Sequence, residues 1–303
     1  MNILLIFLNL FKPRNWLILL AIVFNLFLCI ICGYLIINFV DSEFAVKYEL
    51  YIALSIAALF ILFEIILMTP VGEWLLRLKC KMGELERNEY TEPIYQIFDE
   101  VKEKAIKHNK FISKKIKLYY SDNESINAFA LGSRTVCIYK GLLNLPLNQI
   151  KGILAHEFGH INYYDSYISV IALHGNALFK PLFKLVMLPL ILIGCLIDGL
   201  INALLKRNKN NYFSLVSALF RFIRNVVIYI VDSFTTLCFI FRSKLVEFRA
   251  DAYSNLINEK ENLTEALTTL LECEGNIKAN VFTNLLSTHP RMEKRIEKLN
   301  QLT

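Results

Sequence analysis

From Trp16 to Val40 the chain carries no formal charge, and from Leu50 to Thr69 only Glu64 does. Hydrocarbon offers backbone N–H and C=O groups no water to bond, so a run of this kind in lipid must satisfy them internally as a helix. Each run is long enough to cross a core of about 30 Å. The chain as a whole is 55% hydrophobic and still 20% charged over 303 residues. Its mean hydropathy of +0.43 is too apolar for an ordinary soluble domain. Part of it belongs in lipid and part in water.

A cleaved leader is the competing reading of the N-terminus, but Met1 to Phe11 has no basic residue and the apolar run beyond Lys12 and Arg14 is too long. Retained spans at about 16–40 and 50–69 are expected instead, forming an N-terminal membrane hairpin within 1–70. Lys12 and Arg14 precede the first run, Asp41, Glu43 and Glu49 lie between the two, and Arg77, Lys79, Lys81 and Arg87 follow the second. The positive-inside tendency puts both flanks of the hairpin in the cytoplasm. The expected location is therefore a membrane, with the polar region facing the cytoplasm.

Seven cysteines, odd in number and scattered between apolar and polar stretches, argue against a disulfide framework. The net charge of +6 is explained by juxtamembrane lysines, and no basic helix or RNA-binding motif accompanies it, so nucleic acid is not an expected partner.

After Thr69-Pro70 the composition turns polar. Thr91-Glu92-Pro93 reads as a capped helix start, with Ile94, Ile97, Phe98, Val101 and Ala105 on one face. Lys115–Tyr120, Ala128–Leu131 and Val136–Tyr139 read as a small antiparallel sheet. A second helix runs from Pro146 to about Tyr164, and 71–180 makes the first half of a water-facing domain. A second apolar hairpin is expected in 181–241, at about 185–205 and 225–241, interrupted by Pro189, Asp198 and Asp232. The charged segment 242–303 would complete the domain.

Ala155-His156-Glu157-Phe158-Gly159-His160 contains H-E-x-x-H. Four helical residues turn about 400°, so both imidazoles share a face and can hold one cation. Glu157 falls beside them, placed to take a proton from an attacking water that zinc would acidify. The bland alternative is a solvated helix face. A catalytic site needs a third protein ligand. Tyr163 and Ser166 stand where an extended histidine motif would need Gly and His, so that helix does not supply it. Glu247 and Asp251 lie one helical turn apart: the first could ligate the metal while the second accepts the free N–H of a histidine ligand. Between Lys244 and Arg249 the same pair also reads as a salt-bridged surface helix.

In motif order and spacing over nearly its whole length, the chain resembles the HtpX-type membrane metallopeptidases, relatives of the CAAX prenyl protease. Two N-terminal spans, Asn127-Ala128-Phe129-Ala130, His156 to His160, two further apolar stretches, Glu247 to Asp251 and Ser287-Thr288-His289-Pro290 carry the likeness. The resemblance implies a mainly α integral-membrane protein with a zincin-like catalytic domain of the gluzincin kind. It implies one zinc held by His156, His160 and Glu247, with Glu157 as general base.

Asp165 fits a family position after the zinc helix and reads equally as a surface residue. Asn127 to Ala130 resembles an edge strand that holds extended substrate by backbone pairing, although Asn127 also suits a turn. His289 could stabilise an oxyanion or cap a helix; Arg291 replaces the family's second proline there, which leaves its role open. Expected partners are the lipid bilayer and polypeptide substrates, chiefly misfolded membrane proteins, as in quality control. Site-specific processing of the prenyl-protein type and an inactive metal-binding scaffold are the alternatives. If His160 and Glu247 meet, the chain between them crosses the membrane an even number of times, although Lys206, Arg207, Lys209, Arg221 and Arg224 then fall in an outer loop.

Overall fold

The computed structural model describes residues 8–206, 214–274 and 290–302. His289 lies outside them. The described chain divides into two compact units: one of residues 1–19, 65–173 and 237–303, the other of 20–64 and 174–236.

The second unit is apolar and helical. It takes in most of α1 (Trp16–Val40), the short α2 (Ser42–Lys47) and most of α3 (Glu49–Leu67). It also holds α8 (Phe179–Leu204) and the first half of α9 (Leu215–Leu256). α1, α3, α8 and α9 are each long and apolar enough to cross a membrane. Cys29, Cys32, Phe60, Phe179 and Val231 form its core. A polar ladder runs through the same unit: Asn25 Nδ2 to Thr235 Oγ1 at 3.5 Å, Thr235 Oγ1 to Asn176 Oδ1 at 3.0 Å, and Asn176 Nδ2 to Asp232 Oδ1 at 2.7 Å. Lys180 closes it with an ion pair to Asp232 at 2.9 Å. Asp198 is used differently. It accepts the backbone N–H groups of Val216 and Ser217 at 3.0 and 2.9 Å, capping the first turn of α9 from another helix.

The first unit holds α4 (Pro70–Lys79), β1 (Gly83–Glu84), α5 (Glu92–His108), β2 (Lys117–Ser121), β3 (Ala128–Leu131) and β4 (Thr135–Tyr139). A 3-10 turn, Lys140–Asn144, leads into α6 (Leu147–Asn162) and α7 (Asp165–His174). After α9 come α10 (Lys260–Glu274) and α11 (Met292–Asn300). Of the predicted stripe, α5 buries Ile94, Phe98, Val101 and Ala105, while Ile97 is half-buried against the same core. Thr91 does not cap it through its side chain. Its Oγ1 instead donates to Glu86 O at 2.7 Å and accepts from Asn88 N at 2.9 Å, serving the preceding turn.

The sheet order is β1-β2-β4-β3. β1 with β2 and β3 with β4 are antiparallel, whereas β2 and β4 run parallel, Leu118 facing Val136. The sheet is therefore mixed, not antiparallel throughout. β3 follows β2 in sequence but takes the far side of β4, which places β4 between them in β2's own direction. Val136, Ile138, Ala128 and Ala130 pack with Ile150, Leu154 and Phe158 of α6 in the main core. Burying a side chain such as Phe158 contributes about 1.5–3 kcal/mol.

Candidate metal centre

Two helices meet at the site through small residues. A Cβ added to Gly159 of α6 would lie 3.0 Å from the Ala250 Cα and O and from Tyr253 Cβ of α9, so the two backbones approach more closely than side chains would allow. That approach sets Glu247 over His156 and His160. α9 is 42 residues long; at 1.5 Å per residue it reaches about twice a hydrocarbon thickness. One helix thus carries both the apolar stretch at 225–241 and the carboxylates beyond it.

His156 Nε2 and His160 Nε2 are 3.2 Å apart with their rings at 88°. Glu247 Oε1 is 3.3 Å from His160 Nε2, and Glu247 Oε2 is 3.5 Å from His156 Nε2. Ligand atoms about 2.0–2.1 Å from a tetrahedral cation sit roughly 3.3 Å from one another. One ligand atom from each of the three residues lies within 4.8 Å of the others, close enough to share one cation, and His156 and Glu247 are buried. The residues present therefore fit a metal ion.

The partners of the rings turn both Nε2 atoms inward. Asp251 Oδ1 lies 2.8 Å from His156 Nδ1, and Asp165 Oδ2 lies 3.7 Å from His160 Nδ1. Asp165 is buried, accepting from Arg242 Nη2 at 2.7 Å and from Arg249 Nη2. Arg242 Nε donates in turn to Asn15 Oδ1 at 2.8 Å. Asp165 therefore joins the site and is not a surface residue. The Glu247 and Asp251 pair is buried as well, and Arg249 reaches Asp165 instead of flanking a solvated face.

Burial works against a charged imidazole, but the neighbouring carboxylates of Asp165 and Glu247 outweigh it and push His160 up to about 10. His156 is also raised: burial and Arg295 oppose its proton, while Asp251 and Glu247 favour it more strongly. Burial raises the Asp165 carboxyl, yet His160, Arg242 and Arg249 bring it below the usual range.

Arg295 of α11 is the residue sequence reasoning missed. Its Nη1 is 3.3 Å from Glu247 Oε2, its Nε and Nη2 bind Asp251 at 2.9 and 2.7 Å, and Nη2 is 3.3 Å from His156 Nδ1. Burial disfavours the charge, but Asp251 and Glu247 hold it firmly protonated. A signal was available, since Arg295 falls on the same helical face as Leu299, four residues on and buried in the apolar cluster of α10 and α11.

Glu157 is buried beside the imidazoles. β3 is the edge strand next to α6. Tyr139 N donates to Asn127 O at 3.0 Å, so Asn127 and Tyr139 form a hydrogen-bonded pair. By alternation Phe129 and Leu131 also point their backbone groups at β4, while those of Ala128 and Ala130 point outward. Asn127 Oδ1 occupies the Ala128 N–H at 2.9 Å, which leaves the Ala128 C=O and both Ala130 groups along the outer edge.

A membrane-embedded chain with a buried pair of histidines, a carboxylate across from them and a second glutamate alongside has the make-up of a metallopeptidase. The model of Peptidase family M48 matches residues 96–303, and the chain belongs to that family. "Protease HtpX" of Buchnera aphidicola subsp. Schizaphis graminum is 27% identical over 270 residues, covering 83% of this chain and 88% of that one. "Protease HtpX homolog" of Dictyoglomus thermophilum is 30% identical over 208 residues, covering 61% of this chain and 63% of its own length. Among solved structures, S. mikatae Ste24p aligns with a TM-score of 0.46 at 18% identity, over 89% of this chain and 61% of that one.

Proposed function

We propose that this protein is a zinc-dependent endopeptidase that hydrolyses peptide bonds of membrane or membrane-adjacent polypeptides in protein quality control. The observation that carries the reading is the set of 3.2, 3.3 and 3.5 Å separations among His156, His160 and Glu247. His156, His160 and Glu247 would hold the zinc, whose Lewis acidity polarises the scissile carbonyl and acidifies water when bound. A donor set of two imidazoles and one carboxylate, with no fourth protein ligand or cysteine among the described residues, favours a catalytic over a structural ion.

Glu157 takes the proton of the attacking water and delivers it to the leaving amine. Asp251 and Asp165 orient the two imidazoles, and Arg295 holds Glu247 and Asp251 in place. The outward groups of Ala128 and Ala130 pair with an extended substrate backbone, which suits cleavage of many sequences. The polar domain faces the cytoplasm, as the basic residues flanking the first hairpin favour.

The test is the purified Glu157→Gln variant with an unfolded polypeptide. Loss of cleavage by at least about 100-fold, with zinc content unchanged, is expected from removing the general base. Undiminished cleavage refutes the mechanism.

A further inference from the structure

α4 begins three residues after the second span ends, and the turn between them is tight. A Cβ at Gly72 would fall 2.7 Å from the Leu67 carbonyl carbon, so α4 starts against the backbone of the helix that leaves the bilayer. Thr69 Oγ1 accepts the Val71 N–H at 3.2 Å and fixes the start of the new helix.

The two faces of α4 differ. Gly72, Glu73 and Leu76 are buried. Val71, Trp74, Leu75 and Leu78 follow the i, i+3, i+4, i+7 pattern of one helical face and are exposed, Trp74 at 51% and Leu78 at 58%. Exposed Lys79 and Lys81 lie at its end. A soluble helix presents its apolar stripe to the protein core. This one presents a second apolar stripe outward, edged by lysines, within ten residues of a transmembrane helix.

We propose that α4 lies in the membrane interface, with Val71, Trp74, Leu75 and Leu78 sunk among the lipid headgroups and upper acyl chains and Lys79 and Lys81 against anionic lipid phosphates. The occupant of the face is the bilayer that the preceding helix spans. Chain continuity at Leu67 to Pro70, an aromatic at interface depth and the basic edge all favour it over a protein partner.

The inner face of α4 makes this anchor consequential. Glu73 accepts Ser133 N at 2.7 Å, Arg134 N at 3.1 Å and Thr135 Oγ1 at 3.3 Å, clasping the β3–β4 turn. Arg77 Nη1 donates to Thr135 Oγ1 at 2.7 Å. Leu76 packs with Leu131 and Val170, with Phe129 against them. The lipid-facing helix thus supports the edge strand beside the metal centre from the side opposite α6.

The chain has two tryptophans, so Trp16→Phe leaves Trp74 as the only indole. The full-length Trp16→Phe protein is reconstituted in nanodiscs of phosphatidylcholine and phosphatidylglycerol, with bromines placed either near the headgroup or near the acyl terminus. Trp74 emission is expected to fall about twofold with shallow bromines, less with deep ones, and to resist aqueous acrylamide, as an indole sunk about 5–10 Å would. Adding Val71→Glu and Leu78→Glu to the same protein is expected to restore acrylamide access. Full acrylamide access in the Trp16→Phe protein with no bromine effect, or stronger quenching by deep than by shallow bromines, overturns the proposal. Neither readout depends on metal or on proteolysis.

Discussion

Arg295 holds Asp251 at two points, Nε to Oδ2 at 2.9 Å and Nη2 to Oδ1 at 2.7 Å, while its Nη1 lies 3.3 Å from Glu247. It is the positive charge shared by a metal-ligand candidate and by the carboxylate that orients His156. Breaking a buried ion pair from one side leaves the other charges uncompensated, at about 3–5 kcal/mol. Arg295→Met is therefore expected to lower the Tm of metal-free protein markedly. Zinc brings positive charge to the same place, so its addition should raise Tm more in the variant than in the parent. Calorimetry in detergent with and without zinc checks both; an unchanged metal-free Tm would contradict this role.

His160 gives the pH dependence. In metal-free protein its pKa stands at about 10 against an ordinary 6.5, burial being outweighed by Asp165 and Glu247. A raised histidine contributes stability that is fully present below its unfolded value and lost as pH rises through its folded one. Stability of the metal-free protein should thus decline between pH 6.5 and about 10, and His160→Gln should flatten that slope. On the proposed ligation, zinc displaces the same proton. Calorimetric titration near neutral pH, in buffers of differing ionisation enthalpy, should report proton release on zinc binding.

Asp198 supplies a prediction away from the metal centre. It accepts from Val216 and Ser217 N–H in the first turn of α9. Losing a side-chain cap costs about 1–2 kcal/mol. Asp198→Ala should accordingly speed hydrogen exchange at those two amides by roughly tenfold, with zinc content unchanged. Exchange as slow as in the parent would show that the cap is dispensable.

Periodicity and motif spacing carried much of this structure in the sequence. The charge-free run at 16–40 coincides with α1, and the stripe from Ile94 to Ala105 is the buried face of α5. H-E-x-x-H declared itself because its geometry is local, two imidazoles one turn apart on a single helix. Other features depend on where distant segments meet. The parallel pairing of β2 with β4 follows from β3 taking the far side of β4, which no strand pattern records. α9 changes from apolar to charged midway without a helix break, so composition alone splits it in two. Arg295 looks like any basic residue of Met292–Asn300 until α11 brings it against Glu247 and Asp251. Asp198 and Asp232, both anomalous in apolar runs, take unrelated partners, a helix end and Lys180.

Gly159 ties the packing of α6 on α9 to the metal centre. A Cβ built on it would stand only 3.0 Å from atoms of Ala250 and Tyr253, so its absence is what lets the two helices come this close. Glu247 sits one turn before Ala250 on the same helix, so any separation of the two backbones moves the carboxylate away from His156 and His160. Gly159→Ala adds one methyl at a tight contact that the facing helix must yield to accommodate, and overpacking of this kind costs about 1–3 kcal/mol. The displacement should weaken zinc binding by about tenfold or more, comparable to losing a residue that orients a ligand. Gly83→Ala is the matched control, because a Cβ there meets nothing within 4 Å. Competition with a chromophoric chelator measures both affinities. If Gly159→Ala binds zinc as tightly as Gly83→Ala, the close approach of the helices does not position Glu247, and another constraint, such as the grip of Arg295, must do so.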